Sequence, residues 1–214
     1  MPLTLYFHPL SSYCHKVLIA LYEAGVPFAP RLVDLGNAQD AAAFKAIWPL
    51  GKFPVLDDGG RIVPESTTII EYLAARHPTA ALIPRDEAAA FEARAADRFY
   101  DINVHNVMQA IIGDRLRPAD KKDPRGVEEA RAQLKTSYAI IERQMTDSTW
   151  AMGSDFSLAD CAAMPSLYYG DKVEPIGEFK NVSAYLDRLQ ARPSFARVLR
   201  EAEPYFALFP KAAE

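Results

Sequence analysis

A chain of 214 residues is long enough for one large domain or two small ones. Hydrophobic residues make up 50% of it and charged residues 24%, which is the balance of an ordinary soluble globular protein. The formal net charge of −4 gives no reason to expect a nucleic acid or an anionic membrane as a partner. Residues 1–5 lack the features of a signal peptide, and two cysteines do not form a disulfide framework, so we expect a cytoplasmic protein.

The first part of the chain mixes short apolar runs with helical periodicity. Turn and cap residues divide it into elements. The first four are a strand over 4–7, a helix from Ser11 or Ser12 to Gly25, a strand that reaches Val33, and a helix over 41–47. A hairpin follows, with strands that begin at Val55 and Arg61, and then a helix over 67–76. The order β-α-β-α-β-β-α predicts a thioredoxin-like α/β domain over residues 1–79.

After Pro78 and a linker over residues 80–86, the period is 3.6 almost throughout. We expect an all-α domain over 87–214, with helices over 87–117 (interrupted only at Gly113), 125–145, 157–168, 181–191 and 194–203. Ser157 and Asp160 begin the third of these helices in the manner of a capping box.

A candidate ligand site lies where the hairpin begins and the following helix starts. Pro54 opens the apolar strand, and the free main-chain groups of Val55 are expected to pair with an extended peptide. Ser66 is the expected N-cap of the next helix, whose free N–H groups suit a carboxylate, and Glu65 beside it suits an ammonium group. A small peptide with a carboxylate and an amine at one end matches glutathione.

With these residues the chain resembles the cytosolic glutathione S-transferases over essentially its whole length. The resemblance is carried by residues 48–56 (Trp-Pro-Leu-Gly-Lys-Phe-Pro-Val-Leu), by Glu65-Ser66, and by Ser11-Ser12-Tyr13-Cys14. It implies glutathione as substrate or cofactor, no metal, a cis Phe53–Pro54 peptide, a homodimer and a small electrophilic substrate. The glutathione-binding residues that it implies are Gln39, Lys52, Phe53, Pro54, Val55, Glu65 and Ser66.

The Ser-Ser pair is similar to that of the serine-type classes (theta, delta and zeta), in which the first serine is catalytic. Ser11 is therefore the first choice for the hydroxyl that donates to the glutathione thiolate, and Ser12 the second. Cys14 has the spacing of the second, shielded cysteine of a Cys-x-x-Cys motif. It is predicted to be a packed residue rather than a redox nucleophile.

For several residues of the first long helix, the sequence leaves two possible roles. Asp97 and Asp101 are one turn apart and contact the partner subunit's glutathione site or are simply solvated. Another set faces a hydrophobic substrate pocket or belongs to a core stripe: His105, Met108, Gln109 and Ile112, with Tyr168 from a later helix. Lys52 or Gln39 is expected to hold the glycyl carboxylate.

Three functions compete at this point. The first is conjugation of glutathione to small electrophiles. The second is a zeta-like cis–trans isomerase that uses glutathione as cofactor, although Tyr13 stands where that class has cysteine. The third is a non-catalytic binding protein on the same fold.

Overall fold

This computed structural model describes residues 3–77 and 82–211. The first part contains strands β1 (Leu3–Phe7), β2 (Phe28–Leu32), β3 (Val55–Asp58) and β4 (Arg61–Pro64), with helices α1 (Ser12–Ala24), α2 (Ala38–Ile47) and α3 (Ser66–Arg76). This is the predicted order of elements, and the thioredoxin-like fold is confirmed. The predicted boundary at Pro78 and Thr79 and the start of the linker at Ala80 lie outside the described residues.

The sheet has the strand order β2-β1-β3-β4. β1 is parallel to β2 and antiparallel to β3, and β3 forms the antiparallel hairpin with β4. Pro30 lies in β2, opposite Leu5, and is tolerated because an edge strand does not use every N–H group in the ladder. The central position of β3 matters for the site, because both of its neighbours are strands of the same sheet.

Helix α1 is buried along most of its length and connects the two parts of the molecule. It begins after Ser11 and ends at Gly25, whose φ of 61° places it in the left-handed region. The Gly25 N–H group donates to the carbonyls of Leu21 and Tyr22, which satisfies the end of the helix. The predicted stop is confirmed.

Two helix starts differ from the prediction. Helix α2 begins at Ala38 rather than at residue 41, because the Asn37 side chain accepts hydrogen bonds from the first N–H groups. Helix α3 begins at Ser66 itself, and Glu65 with a φ of 69° is its N-cap. The prediction that Ser66 is the N-cap was therefore wrong by one residue.

The second part of the chain is helical, as predicted. Its helices are α4 (Glu87–Phe99), α5 (Asn106–Arg115), α6 (Pro124–Gln144), α7 (Leu158–Asp171), α8 (Lys180–Gln190) and α9 (Pro193–Ala202), with short 3-10 turns at Ala119–Lys121 and Glu203–Leu208. The capping box of Ser157 and Asp160 is confirmed. No helix in the described ranges combines the length and the apolar composition that a membrane crossing requires.

The predicted helix over 87–117 is interrupted at a different place. A π-helical segment, Tyr100–His105, separates α4 from α5, and Gly113 lies inside regular α5. The N–H group of Asn106 donates to the carbonyl of Asp101, the i→i+5 bond that defines such a segment. Helical interruptions of this kind have no glycine or proline signal, which is why the sequence did not show it.

One continuous core joins the two parts. Leu5 and Ile70 of the first part belong to the same buried cluster as Met108 and Leu167 of the second. Helix α1 packs against α3 on one side and against α7 and α9 on the other. The relative position of the two parts is thus fixed by apolar burial along α1.

Replacement of Gly25 and of Gly113 by alanine should change the stability of the protein in opposite directions. Alanine at Gly25 meets no atom within 4 Å but must adopt a positive φ, so Gly25→Ala should destabilise the protein by about 1 kcal/mol. Alanine at Gly113 also meets no atom within 4 Å, and here the backbone is regular helix, so Gly113→Ala should stabilise by about 0.4–1 kcal/mol. Urea unfolding of the two variants measures both, and changes of the same sign would contradict this description.

Candidate functional site

A cavity of about 650 Å³ opens between the two parts of the chain. Its size falls within the roughly 300–1,000 Å³ of typical small-molecule sites. The first part contributes Tyr13, Lys52, Phe53, Pro54, Glu65, Ser66, Thr67, Thr68 and Glu71. The second part contributes Arg94, Asp97, Arg98, Asp101 and Asn106. The lining combines an extended backbone segment, a helix start and charges of both signs, which suits a zwitterionic peptide.

The extended segment is the loop before β3. The Phe53–Pro54 peptide is cis, as predicted. Val55, however, pairs with Tyr6 of β1 and Pro64 of β4 and is fully buried. The expectation that Val55 offers a free strand edge was wrong, because β3 is an inner strand. Phe53 precedes the ladder and lines the cavity, so its main chain is the available partner for a peptide.

The helix start is that of α3. No side chain caps it, so the N–H groups of its first turn are not used by a cap. Ser66 is 5% exposed and lies at the cavity wall, with Glu65 beside it. A helix N-terminus with an adjacent hydroxyl favours a carboxylate, and Glu65 favours an ammonium group next to it.

Ser11 and Ser12 face different surroundings. Ser11 is the N-cap of α1, and its Oγ accepts a bond from the Cys14 N–H group at 3.3 Å. It is partly exposed, and its own proton stays available for a further acceptor. Ser12 is 2% exposed, and its Oγ lies 2.5 Å from His105 Nε2 and accepts from Gln109 Nε2 at 3.1 Å. Ser12 is thus engaged with the second part of the chain.

His105 is a buried neutral ring. Burial, together with the nearby Lys16 charge, lowers its pKa to about 3. Tyr13 stacks on it with ring centroids 3.8 Å apart, and the Tyr13 hydroxyl donates to Asn106 Oδ1 at 2.6 Å. These contacts fasten the first turn of α1 to the start of α5.

Cys14 is a packed residue, as the sequence analysis favoured. It is fully buried, and burial raises the pKa of its thiol to about 12. A thiol in that state supplies almost no thiolate near neutral pH, so it does not serve as a nucleophile.

Asp97 and Asp101 are not solvated. Their side chains are buried around the ammonium group of Lys16, at distances of 2.6 Å and 2.8 Å. Both also reach Thr67. The contact with a partner subunit stays a prediction, and within this chain the two carboxylates already hold α1 and α3 against α4 and the π-helical segment.

Most of the predicted substrate pocket is filled core. Met108 and Ile112 belong to the main hydrophobic cluster, and Tyr168 packs against that cluster. Of that set only Gln109 is exposed. The apolar face of this helix is buried by α6 and α7, so for Met108 and Ile112 the core-stripe reading is correct and the pocket reading is wrong.

The two residues predicted for the glycyl carboxylate lie in different places. Lys52 lines the cavity, whereas Gln39 lies exposed at the start of α2 and is not part of the lining. Several cavity residues were missed, namely Tyr13, Thr67, Thr68, Glu71, Arg94, Arg98 and Asn106. Their only sequence signal was position, since Tyr13 adjoins the serine pair and the arginines adjoin Asp97. Among the described residues, no cluster of three His, Cys, Asp or Glu side chains has the arrangement of a metal site.

Comparison with known proteins gives matches over most of the chain. The profile of "Glutathione S-transferase, N-terminal domain" matches residues 5–81, and that of "Glutathione S-transferase, C-terminal domain" matches residues 102–193. A stringent starvation protein A homolog of Histophilus somni is 27% identical, over 94% of this chain and 92% of that protein. A probable maleylacetoacetate isomerase of Vibrio cholerae is 28% identical, over 95% of this chain and 98% of that protein.

Solved structures agree with the profiles. A glutathione S-transferase of Methylobacillus flagellatus, crystallised with glutathione bound, superposes with a TM-score of 0.84. It is 26% identical, over 92% of this chain and 98% of that one.

Two buried histidines make stability depend on pH. Burial lowers the pKa of His15 to about 4 and that of His105 to about 3, both below the value of about 6.5 expected in the unfolded chain. The unfolded chain therefore binds protons that the folded one does not, so stability is lost as pH falls below about 6.5. Each histidine lowers the free energy of unfolding by up to about 1.4 kcal/mol for each pH unit below that value. Urea unfolding at pH 7, 6 and 5 should therefore show that the free energy of unfolding falls less steeply with pH in His105→Gln than in the parent. An equally steep fall in both proteins would contradict a buried, neutral His105.

Proposed function

Because the chain belongs to the glutathione S-transferase family, we propose that it conjugates glutathione to small electrophiles by stabilising the glutathione thiolate. The observation that carries the proposal is the meeting of the cis-proline loop, the uncapped start of α3 and the start of α1 at one cavity. The peptide backbone and the carboxylate each have a partner of suitable chemistry in the cavity lining. Ser11, the proposed partner of the thiol, is not part of that lining and stands two positions before the lining residue Tyr13.

Ser11 is our choice for the catalytic residue. Its Oγ accepts from Cys14, which orients the hydroxyl, and its proton remains free to donate to a thiolate. The N–H groups that open α1 add the positive end of a helix dipole. Ser12 does not share this role, because its side chain is buried between His105 and Gln109.

The two ends of glutathione have separate partners in this proposal. Ser66 and the N–H groups of α3 hold the glutamyl carboxylate, and Glu65 takes the ammonium group beside it. Lys52, exposed at the cavity rim, pairs with the glycyl carboxylate. The main-chain groups of Phe53 pair with the cysteinyl residue.

We further propose a homodimer in the cytoplasm, built on the outer face of the first long helix. Phe91 is 67% exposed and Ile102 is 48% exposed there, which is unusual for large apolar side chains. Both cysteines are free and buried, which agrees with a reducing compartment.

Isomerisation is a second candidate, and the maleylacetoacetate isomerase relative favours it. The same thiolate would add to a conjugated cis alkene, the new single bond would rotate, and the thiolate would leave again with the trans alkene formed. Ser11, Ser66 and Phe53 would have unchanged roles. Glutathione is consumed in conjugation and conserved in isomerisation, so the ratio of glutathione lost to substrate converted separates the two.

Retention on immobilised glutathione, together with turnover of a generic aryl halide, tests the main proposal. Retention with no turnover of any electrophile or cis alkene would favour a non-catalytic binding protein. Absence of retention would contradict a glutathione site altogether.

Replacement of Ser11 should affect rate through ionisation. The glutathione thiol has a pKa of about 8.5, and one hydrogen bond to the charged form, worth roughly 1.5–3 kcal/mol, lowers it by about one to two units. Ser11→Ala should slow conjugation about ten- to a hundredfold near pH 7, and the deficit should shrink above about pH 9. Ser12→Ala and Cys14→Ala should do less. An unchanged pH–rate profile for Ser11→Ala would remove the serine mechanism from this residue.

Replacement at the glutamyl end should affect affinity instead. Ser66→Ala and Glu65→Ala each remove a bond to a charged ligand group, worth roughly 1.5–3 kcal/mol. Glutathione should then bind about ten- to a hundredfold more weakly by titration calorimetry. Gln39→Ala, which lies outside the cavity, is the control and should bind as the parent does. Equal affinity for all three variants would show that the glutamyl end lies elsewhere.

A further inference from the structure

The molecule contains a buried ionic cluster that the proposed chemistry does not use. Lys16 of α1 is fully buried, and its ammonium group contacts Asp97 at 2.6 Å, Asp101 at 2.8 Å and Thr67 Oγ1 at 2.8 Å. The ammonium group donates hydrogen bonds to Asp101 and Thr67 and forms a close ion pair with Asp97. A buried lysine is expected only where such partners are complete.

Thr67 connects this cluster to the start of α3. Its hydroxyl accepts from Lys16 and donates to Asp97 Oδ2 at 2.9 Å. Thr67 directly follows Ser66 and stands two residues after Glu65. Glu65 has a φ of 69°, a conformation that residues other than glycine rarely adopt, so surrounding contacts must hold it.

The cluster also carries excess charge. One ammonium and two carboxylates leave one negative charge when all three are ionised. Burial raises the pKa of Asp97 despite the pull of Lys16. Other charges at the cavity are Glu65, Lys52, Arg98 and the Arg94–Glu71 ion pair at 2.6 Å, while His105 is neutral near pH 7.

From these contacts we propose that Lys16 is a positioning residue that, through Thr67, Asp97 and Asp101, fixes the start of α3 and makes it selective for a ligand with an ammonium group beside its carboxylate. The inference rests on the proposed function, since it concerns the glutamyl end of glutathione. Lys16 is fully buried and is not part of the cavity lining, so it acts on the ligand indirectly, through Ser66 and Glu65. The cluster at the same time docks the helical domain against this end of the cavity, so domain packing and ligand recognition share the same side chains.

The first experiment changes Thr67, because loss of Lys16 itself would leave two buried carboxylates without a cation. Thr67→Val keeps the shape and removes the hydroxyl, and it should raise the KM for glutathione about tenfold while kcat at saturating glutathione stays within about twofold. Thr67→Ser should restore most of the parent KM. The control is Thr136→Val, which removes an exposed hydroxyl bonded only to its own helix at Ala132 and should change neither constant.

The second experiment measures selectivity for the amine. Binding of glutathione is compared with binding of its deamino analogue, for the parent and for Asp97→Asn, by titration calorimetry. The parent should prefer glutathione, and the ratio of the two dissociation constants should fall at least about threefold in Asp97→Asn, since the excess charge is removed.

The outcomes are distinguishable. A parent that binds neither ligand overturns the proposed function and this inference together. A parent that binds glutathione, with Thr67→Val binding equally well or the selectivity ratio unchanged in Asp97→Asn, overturns this inference alone.

Discussion

The Lys16 ion cluster is the interaction on which the arrangement of the site depends. Three charged groups are removed from water here, at a cost of several kcal/mol for each ion. That cost is offset only if all partners stand in place, which requires α1, α3 and α4 to meet in one geometry. Apolar packing along α1 brings these elements together. Because apolar packing is non-directional, it does not by itself select one arrangement of the elements, and the ion cluster does so.

The cluster is one end of a polar seam between the two parts of the chain. Ser12 and Lys16 are four residues apart on α1 and so lie on one face. Opposite them stand Asp97, Asp101, His105 and Gln109, each four residues after the previous one. The π-helical segment falls in the middle of this row, at Tyr100–His105. A buried polar seam of this kind fixes orientation because each misplaced group would lose its partner inside a low-dielectric interior.

Local signals in the sequence were sufficient for most of the fold. Gly25, the Ser157–Asp160 capping box and the hairpin turn before Arg61 each act over a few residues, and each structure appears where it was expected. Helical periodicity could not decide whether Met108 and Ile112 line a substrate pocket or belong to the core. It shows that one face of a helix is apolar, but it does not show which other part of the protein covers that face. The same limit applies to Asp97 and Asp101, because their partner lies far away in the sequence: Asp101 follows Lys16 by 85 positions.

The serine pair shows how adjacent residues come to have different roles. Ser11 is the N-cap of α1, with extended backbone (φ −74°, ψ 115°), and its Oγ accepts from the Cys14 N–H group. Ser12 is the first residue of the helix and faces the seam, where His105 and Gln109 hold its hydroxyl. Ser12 belongs to the docking contacts of the second domain, which leaves Ser11 as the hydroxyl that the proposed function assigns to the thiolate. The difference between the two serines depends on which side of α1 the helical domain covers, and two adjacent serines in a sequence do not show this.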